Sequence, residues 1–227
     1  MASVTIIQLR NLEPGKILSP ERYDPRRSLT NHEEGNSQVT IGQIAEIVKH
    51  TINPVSKNAA GRNFVVLDTS DIREGIVVGK KTPVTAEEIG STKKIFRCHD
   101  VLISRLRPYL RQVAIIDEGF VGKFKHCEMA CSTEFFILRS TSADPIDFLV
   151  PYLLSDKVQS ALFAAQEGGH HPRFDTSVLL AIPIPEDVLK NRNIISKSVS
   201  LAAELYRDSE TLIHDGISAI NNLYSPT

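Results

Sequence analysis

The stretch ISRLRPYLRQ (103–112) is the first place where side-chain types and spacing could do chemistry. Alternate residues of a strand fall on opposite faces. A strand here places Arg105, Arg107, Tyr109 and Arg111 on one side, with Ser104, Leu106 and Leu110 on the other. Such a row suits a surface that grips nucleic acid: arginine can pair both guanine acceptors in the major groove, and Tyr109 can stack or hydrogen-bond to phosphate. It also suits a solvated sheet edge, with Pro108 interrupting regular pairing. EGGHHPRF (167–174) is the second such stretch. Its two glycines open backbone conformations closed to other residues. His170, His171 and Arg173 can then approach a nucleic acid and donate to it, or simply line a tight connector.

Cysteines and histidines raise a metal as an alternative. RCHD (97–100) and KHCEMAC (125–131) supply Cys98, His99, His126, Cys127 and Cys131. Neither cluster has the tight two-residue cysteine spacing of common zinc ribbons. The simpler expectation is no metal, with Cys131 a small buried residue at a strand start. Catalytic motifs are missing as well. There is no Asn/Asp-Pro-Pro-aromatic loop of an amino-methyltransferase, no acid-x-lysine nuclease pair, no phosphate-cradling GxxxxGK and no GxSxG elbow. Nothing in the chain makes a case for an enzyme.

The elements that must position these residues follow from periodicity. After a turn-rich opening that contains RYDPRRSL (22–29), VTIGQIAEIVKH carries Ile41, Ile44, Ala45 and Val48 at helical spacing. Thr40 is placed to cap that helix and TINPV to end it. Short runs rich in Val, Ile and Phe then recur between turn residues: RNFVVLDTSDI, GIVVGK, KKIFRC, DVLISRLR, QVAIID and CSTEFFILRS. They predict a curled, mostly antiparallel sheet or a partly closed barrel. PIDFLVPYLLSDKVQSALFAAQ returns to helix with a break near Pro151 or Ser155, and DTSVLLAIPIP reads as a helical turn and a strand. The last stretch, from Glu186 to Tyr224, has no internal proline and a single glycine. Ile195, Val199, Ala202, Tyr206, Ile213, Ile220 and Leu223, with Leu205 widening the stripe, form an apolar seam that needs a partner.

Bulk composition narrows the class. The chain has 227 residues, 41% hydrophobic and 23% charged, enough for an ordinary globular core. No run approaches the roughly 18 apolar residues that span a bilayer. The N-terminus has neither the basic segment nor the apolar run of a signal peptide. Three cysteines argue against a disulfide framework and for a reducing compartment, so a cytoplasmic location is expected. The net charge is −1, which by itself counts against nucleic acid. Its distribution does not. Residues 93–125 hold eight basic residues, Lys123 and Lys125 among them, against three acidic, a net +5; from Glu186 onward four basic face six acidic, a net −2. The basic segment would neutralise phosphates, an attraction that falls with salt.

Taken together, ISRLRPYLRQVAIID, CSTEFFILR, EGGHHPRFDTSVLLAIPIP and the terminal helix resemble the specificity (S) subunits of type I restriction–modification systems. In that family a "GD.LIS.IRPYL.K.AI" stretch precedes "STEF.VLRP", and "GG..PRI....L..I.IPLP" leads into a long helix. The match runs across roughly residues 95–223, and VTIGQIAEIVKH resembles the opening helix of the family. The resemblance implies a mixed α+β target recognition domain, here residues 1–185, followed by a spacer and dimerisation helix, residues 186–227. Family members usually carry two such domains and two helices, each domain reading half of a split DNA sequence, so this chain resembles a half subunit. Double-stranded DNA is then the ligand, and a methyltransferase (M) subunit, with or without a restriction (R) subunit, the partner. S-adenosylmethionine would belong to the methyltransferase and no cofactor to this chain. Antiparallel pairing of the terminal helix would give a homodimer on a split palindrome. The rival expectation is a helix-mediated scaffold that keeps the fold without reading DNA.

Overall fold

The computed structural model describes Ile6, Gln8 and residues 39–57, 59–166 and 172–224. RYDPRRSL and the pair His170 and His171 lie outside the described residues.

The first helix is shorter than its periodicity predicts. Thr40 does cap it, its backbone N–H donating to the Gln43 side chain at 2.8 Å, but α1 spans only Ile41–Ile44. At Ala45 the chain turns extended and runs on as β1, Ala45–Ile47. The side chains part as those of a strand do: Ala45 and Ile47 pack into one core and Val48 into the other, with Glu46 exposed. Pairing with β11, Phe135–Ser140, decides for the strand.

Two open sheets form the body. In the first, β1, β11, β8 (Val101–Ser104) and β9 (Val113–Ile115) lie in that order, all antiparallel. In the second the order is β2 (Thr51–Ile52), β7 (Lys93–Ile95), β10 (Glu128–Cys131), β3 (Asn63–Leu67) and β6 (Val84–Thr85). Only the β3–β10 pair is parallel among these. A hairpin, β4 (Ile72–Arg73) and β5 (Ile76–Val77), hooks onto β9 through Gly75. Gly75 sits at φ 113°, a conformation other residues rarely adopt, and its N–H donates to Val113 O at 2.8 Å.

The first sheet is covered on both faces, which explains the unbroken apolar runs VLIS, VAI and FFIL. On one face Val101, Ile103, Val113, Phe136 and Leu138 pack under the helices. On the other, Leu102, Ala114 and Ile137 meet Val65, Leu67 and Met129 of the second sheet. The helical layer contains α3 (Leu149–Leu154) and α4 (Asp156–Ala164), separated at Ser155 as expected, and α5 (Thr176–Leu180). The strand expected after α5 reduces to one bridge, Thr40 to Pro183. Pro183 and Pro185 have no N–H to extend a ladder. A short α6 (Glu186–Lys190) then leads into α7 (Arg192–Tyr224).

α7 has two halves. Ser196, Ala203 and Arg207 are buried against the body, and Ile195 and Val199 pack partly on the core beneath. Arg207 bolts this half down. It pairs with Asp117 at 2.9 Å and Glu210 at 3.0 Å, donates to Val77 O at 2.9 Å, and lies over the Phe120 ring. Beyond it, Leu212, Ile213, Ile217, Ile220, Leu223 and Tyr224 stand exposed, as do Leu201 and Leu205 upstream. Ala202 is exposed and Tyr206 half-buried. No helix among the described residues is long and apolar enough to cross a membrane.

Candidate nucleic-acid interface

The row of arginines does not form along one strand face. β8 stops at Ser104, whose hydroxyl bonds the Leu106 carbonyl at 3.1 Å. Pro108–Leu110 then makes a 3-10 turn between Arg107 (φ 49°, ψ 67°) and Arg111 (φ 54°, ψ 36°), both left-handed. Two left-handed residues and a proline destroy the alternation that a strand would impose. Arg105 turns towards Glu134. Arg111 reaches Glu74 at 3.1 Å and Asp156 at 3.4 Å. Tyr109, 58% exposed, borders a hollow with Gln159 and Phe163 of α4. Arg107 is half-buried at the head of the turn.

The centre of the site is an acidic residue. Glu134 lies in the short connection between β10 and β11, held between two buried strands. Its Oε2 accepts from Arg105 Nε at 3.0 Å and from Arg173 Nε at 2.9 Å, and its Oε1 accepts from Arg173 Nη2 at 2.6 Å. The backbone binds the same three segments: Arg105 N–H donates to Glu134 O at 2.9 Å, and Leu106 bridges Arg173. Phe174 is buried beside Phe136, ring centres 5.7 Å apart, and fixes the base of Arg173. The hydrogen bonds from Arg173, then those from Arg105, hold the Glu134 carboxyl down at about 2. The bond to Glu134 raises the Arg173 guanidinium in turn.

Lys94 completes the cluster. Its ammonium donates to Phe135 O at 2.6 Å and lies 5.4 Å from the centre of the Phe136 ring. Burial lowers its pKa, with the field of Cys131 opposing, and Arg105 and Glu134 both act on it. Two arginines thus meet at one carboxylate with Lys94 near them, leaving a positive surplus at the end of the first sheet.

The other expected site residues lie elsewhere. Lys123 follows α2 (Glu118–Gly122) and pairs with Glu210 of α7 at 3.4 Å. Lys125 is exposed in the turn before β10. Among the described residues no group of three or more His, Cys, Asp or Glu is arranged to hold a metal. Cys131 is buried, though at the end of β10 and not at a strand start, and burial pushes its thiol up to about 12. His99 faces Glu118 at 3.4 Å on the surface. Glu134 and Lys94 are the residues that a search for exposed cations overlooks. Glu134 was in view within CSTEFFILR, but a carboxylate draws attention only when its arginine partners are known.

With the geometry in place, the chain is similar to two solved structures. One is a chain from work on complex assembly and conformational transition of the type I restriction–modification system, with a TM-score of 0.56 and 25% identity. The other is the HsdS subunit from Thermoanaerobacter tengcongensis, at 0.54 and 23%. Each match covers 82% of this chain and 46% of the other, so this chain spans about half the length of these relatives. No family model and no curated protein matches it. The fold is HsdS-like, and the resemblance carried by the sequence motifs extends to three dimensions.

Proposed function

We propose that the chain is a DNA sequence-specificity subunit, without catalytic activity of its own, that reads one half-site of a split target within a type I restriction–modification complex. The observation that carries this reading is the meeting of ISRLRP, STEF and PRF at Glu134 inside an HsdS-like fold. In this reading residues 1–185 recognise duplex DNA and residues 186–227 act as spacer. Arg105, Arg107, Tyr109, Arg111, Lys123, Lys125 and Arg173, together with His170 and His171, supply phosphate and base contacts. Methyl transfer and S-adenosylmethionine belong to a methyltransferase partner in the cytoplasm, and cleavage to a restriction subunit where one is present. The exposed apolar residues of α7 pair with a second copy.

One observation favours the scaffold reading: Arg105, Arg111 and Arg173 each already hold a carboxylate. Binding of the chain to random-sequence duplex across a salt series separates the two. The DNA reading predicts affinity that falls steeply with salt, at about 0.9 logarithmic units per decade for each phosphate contacted. No binding at low salt would put the scaffold first.

A further inference from the structure

We propose that Glu134 is a positioning residue for DNA: its carboxylate holds Arg105 and Arg173, with Lys94 alongside, as one receiver for a backbone phosphate of the duplex. This rests on the DNA reading above and states how that surface is built.

A carboxylate on a DNA-facing surface repels phosphate, so its presence costs affinity unless it does something that offsets the repulsion. Here it gathers two arginines from separated parts of the chain, and a lysine from a third part lies near them. Arg105 comes from the end of β8, Arg173 from the segment before α5, and Lys94 from β7. Each long side chain loses rotamer freedom when it engages a ligand. The fork of Arg173 on Glu134, 2.6 and 2.9 Å, removes that freedom beforehand. Arg105 gives Glu134 only its Nε–H, and among the described residues its Nη groups have no hydrogen-bond acceptor. The Arg105 and Arg173 side chains are 34% and 37% exposed, and that of Glu134 between them is 24% exposed. The two cationic side chains are thus more open to solvent than the anionic one.

Glu134→Gln tests this through the sign of its effect. It removes one negative charge from a basic face while keeping the side-chain shape. If Glu134 merely weakens the positive field, the variant binds random-sequence duplex more tightly. If Glu134 positions the arginines, the variant binds about tenfold more weakly at fixed salt, and the salt slope shrinks by about one phosphate. Glu134→Asp, which keeps the charge at shorter reach, falls between the two. Should Glu134→Gln lose its cooperative melt, Arg173→Lys decides by the same criterion: it keeps the charge and loses the fork, so weaker binding is expected. Binding by a folded Glu134→Gln chain as tight as wild type, or tighter, overturns the positioning role and leaves the DNA reading standing. Wild-type chain that binds no duplex removes the DNA reading and this inference with it.

Discussion

Glu134 links three distant segments through charged hydrogen bonds, and that linkage has a pH signature. Its carboxyl is held at about 2 against an ordinary 4.5. A depressed carboxyl contributes stability that is fully present above the unfolded value and is lost as pH falls through the folded one. Wild type should therefore lose this contribution between about pH 4.5 and 2. A Glu134→Gln chain, which has nothing to titrate there, should show a flatter profile in that window by thermal melts. Equal slopes for the two chains would mean the clamp adds nothing to stability. Arg107 offers a second residue-scale test. Its φ of 49° is a conformation that costs an L-residue roughly 1 kcal/mol. Arg107→Gly should leave stability unchanged or raise it slightly, while weakening duplex binding. A large loss of melting temperature would instead identify Arg107 as structural.

Elements were legible in the sequence wherever burial was two-sided. VLIS, VAI and FFIL read as strands because both of their faces are covered, and the break at Ser155 follows from a seam that fails there. AEIV did not read correctly because Ile41, Ile44, Ala45 and Val48 have helical spacing although Ala45 and Val48 enter different cores, and its pairing with β11 lies about ninety residues away. ISRLRPYLRQ failed for a different reason. Arginine carries no signature of a left-handed backbone, so two such residues beside Pro108 were invisible. The Glu134 clamp was hidden for the same general cause, since it joins residues that only the tertiary fold brings together. At this scale the sharpest test concerns α7. Arg207 is 7% exposed and its partner Asp117 12%. Arg207→Met leaves that carboxylate buried without its cation, an expected loss of about 3–5 kcal/mol seen by denaturant melts. A loss below about 1 kcal/mol would show that the packing of Ile195, Val199 and Ala203, with the Ser196 hydrogen bond, holds the helix unaided.

On the scale of the whole molecule, α7 runs on from Arg207 through residues 208–224, about 25 Å of helix, with Glu210 still paired to Lys123 and Ile213 and Ile217 bordering a hollow with Phe120 and Phe124. That length carries six large apolar side chains at 55–82% exposure, which a lone helix in water does not keep without cost. Pairing with a second copy, as proposed, would cover them and set the two bodies at a fixed separation. Light scattering should then give about twice the 25.2 kDa of one chain. The double variant Ile217→Lys, Ile220→Lys should return the single-chain mass with the fold of the body intact.

The most direct test of the central claim is selection of bound duplexes from a randomised library by the chain itself. DNA reading by a symmetric pair predicts enrichment of two short half-sites, inverted with respect to each other and separated by a non-specific spacer of constant length. A selected pool with no sequence preference, from a chain that still binds, would mean that the surface grips phosphates without reading bases, and would contradict the account.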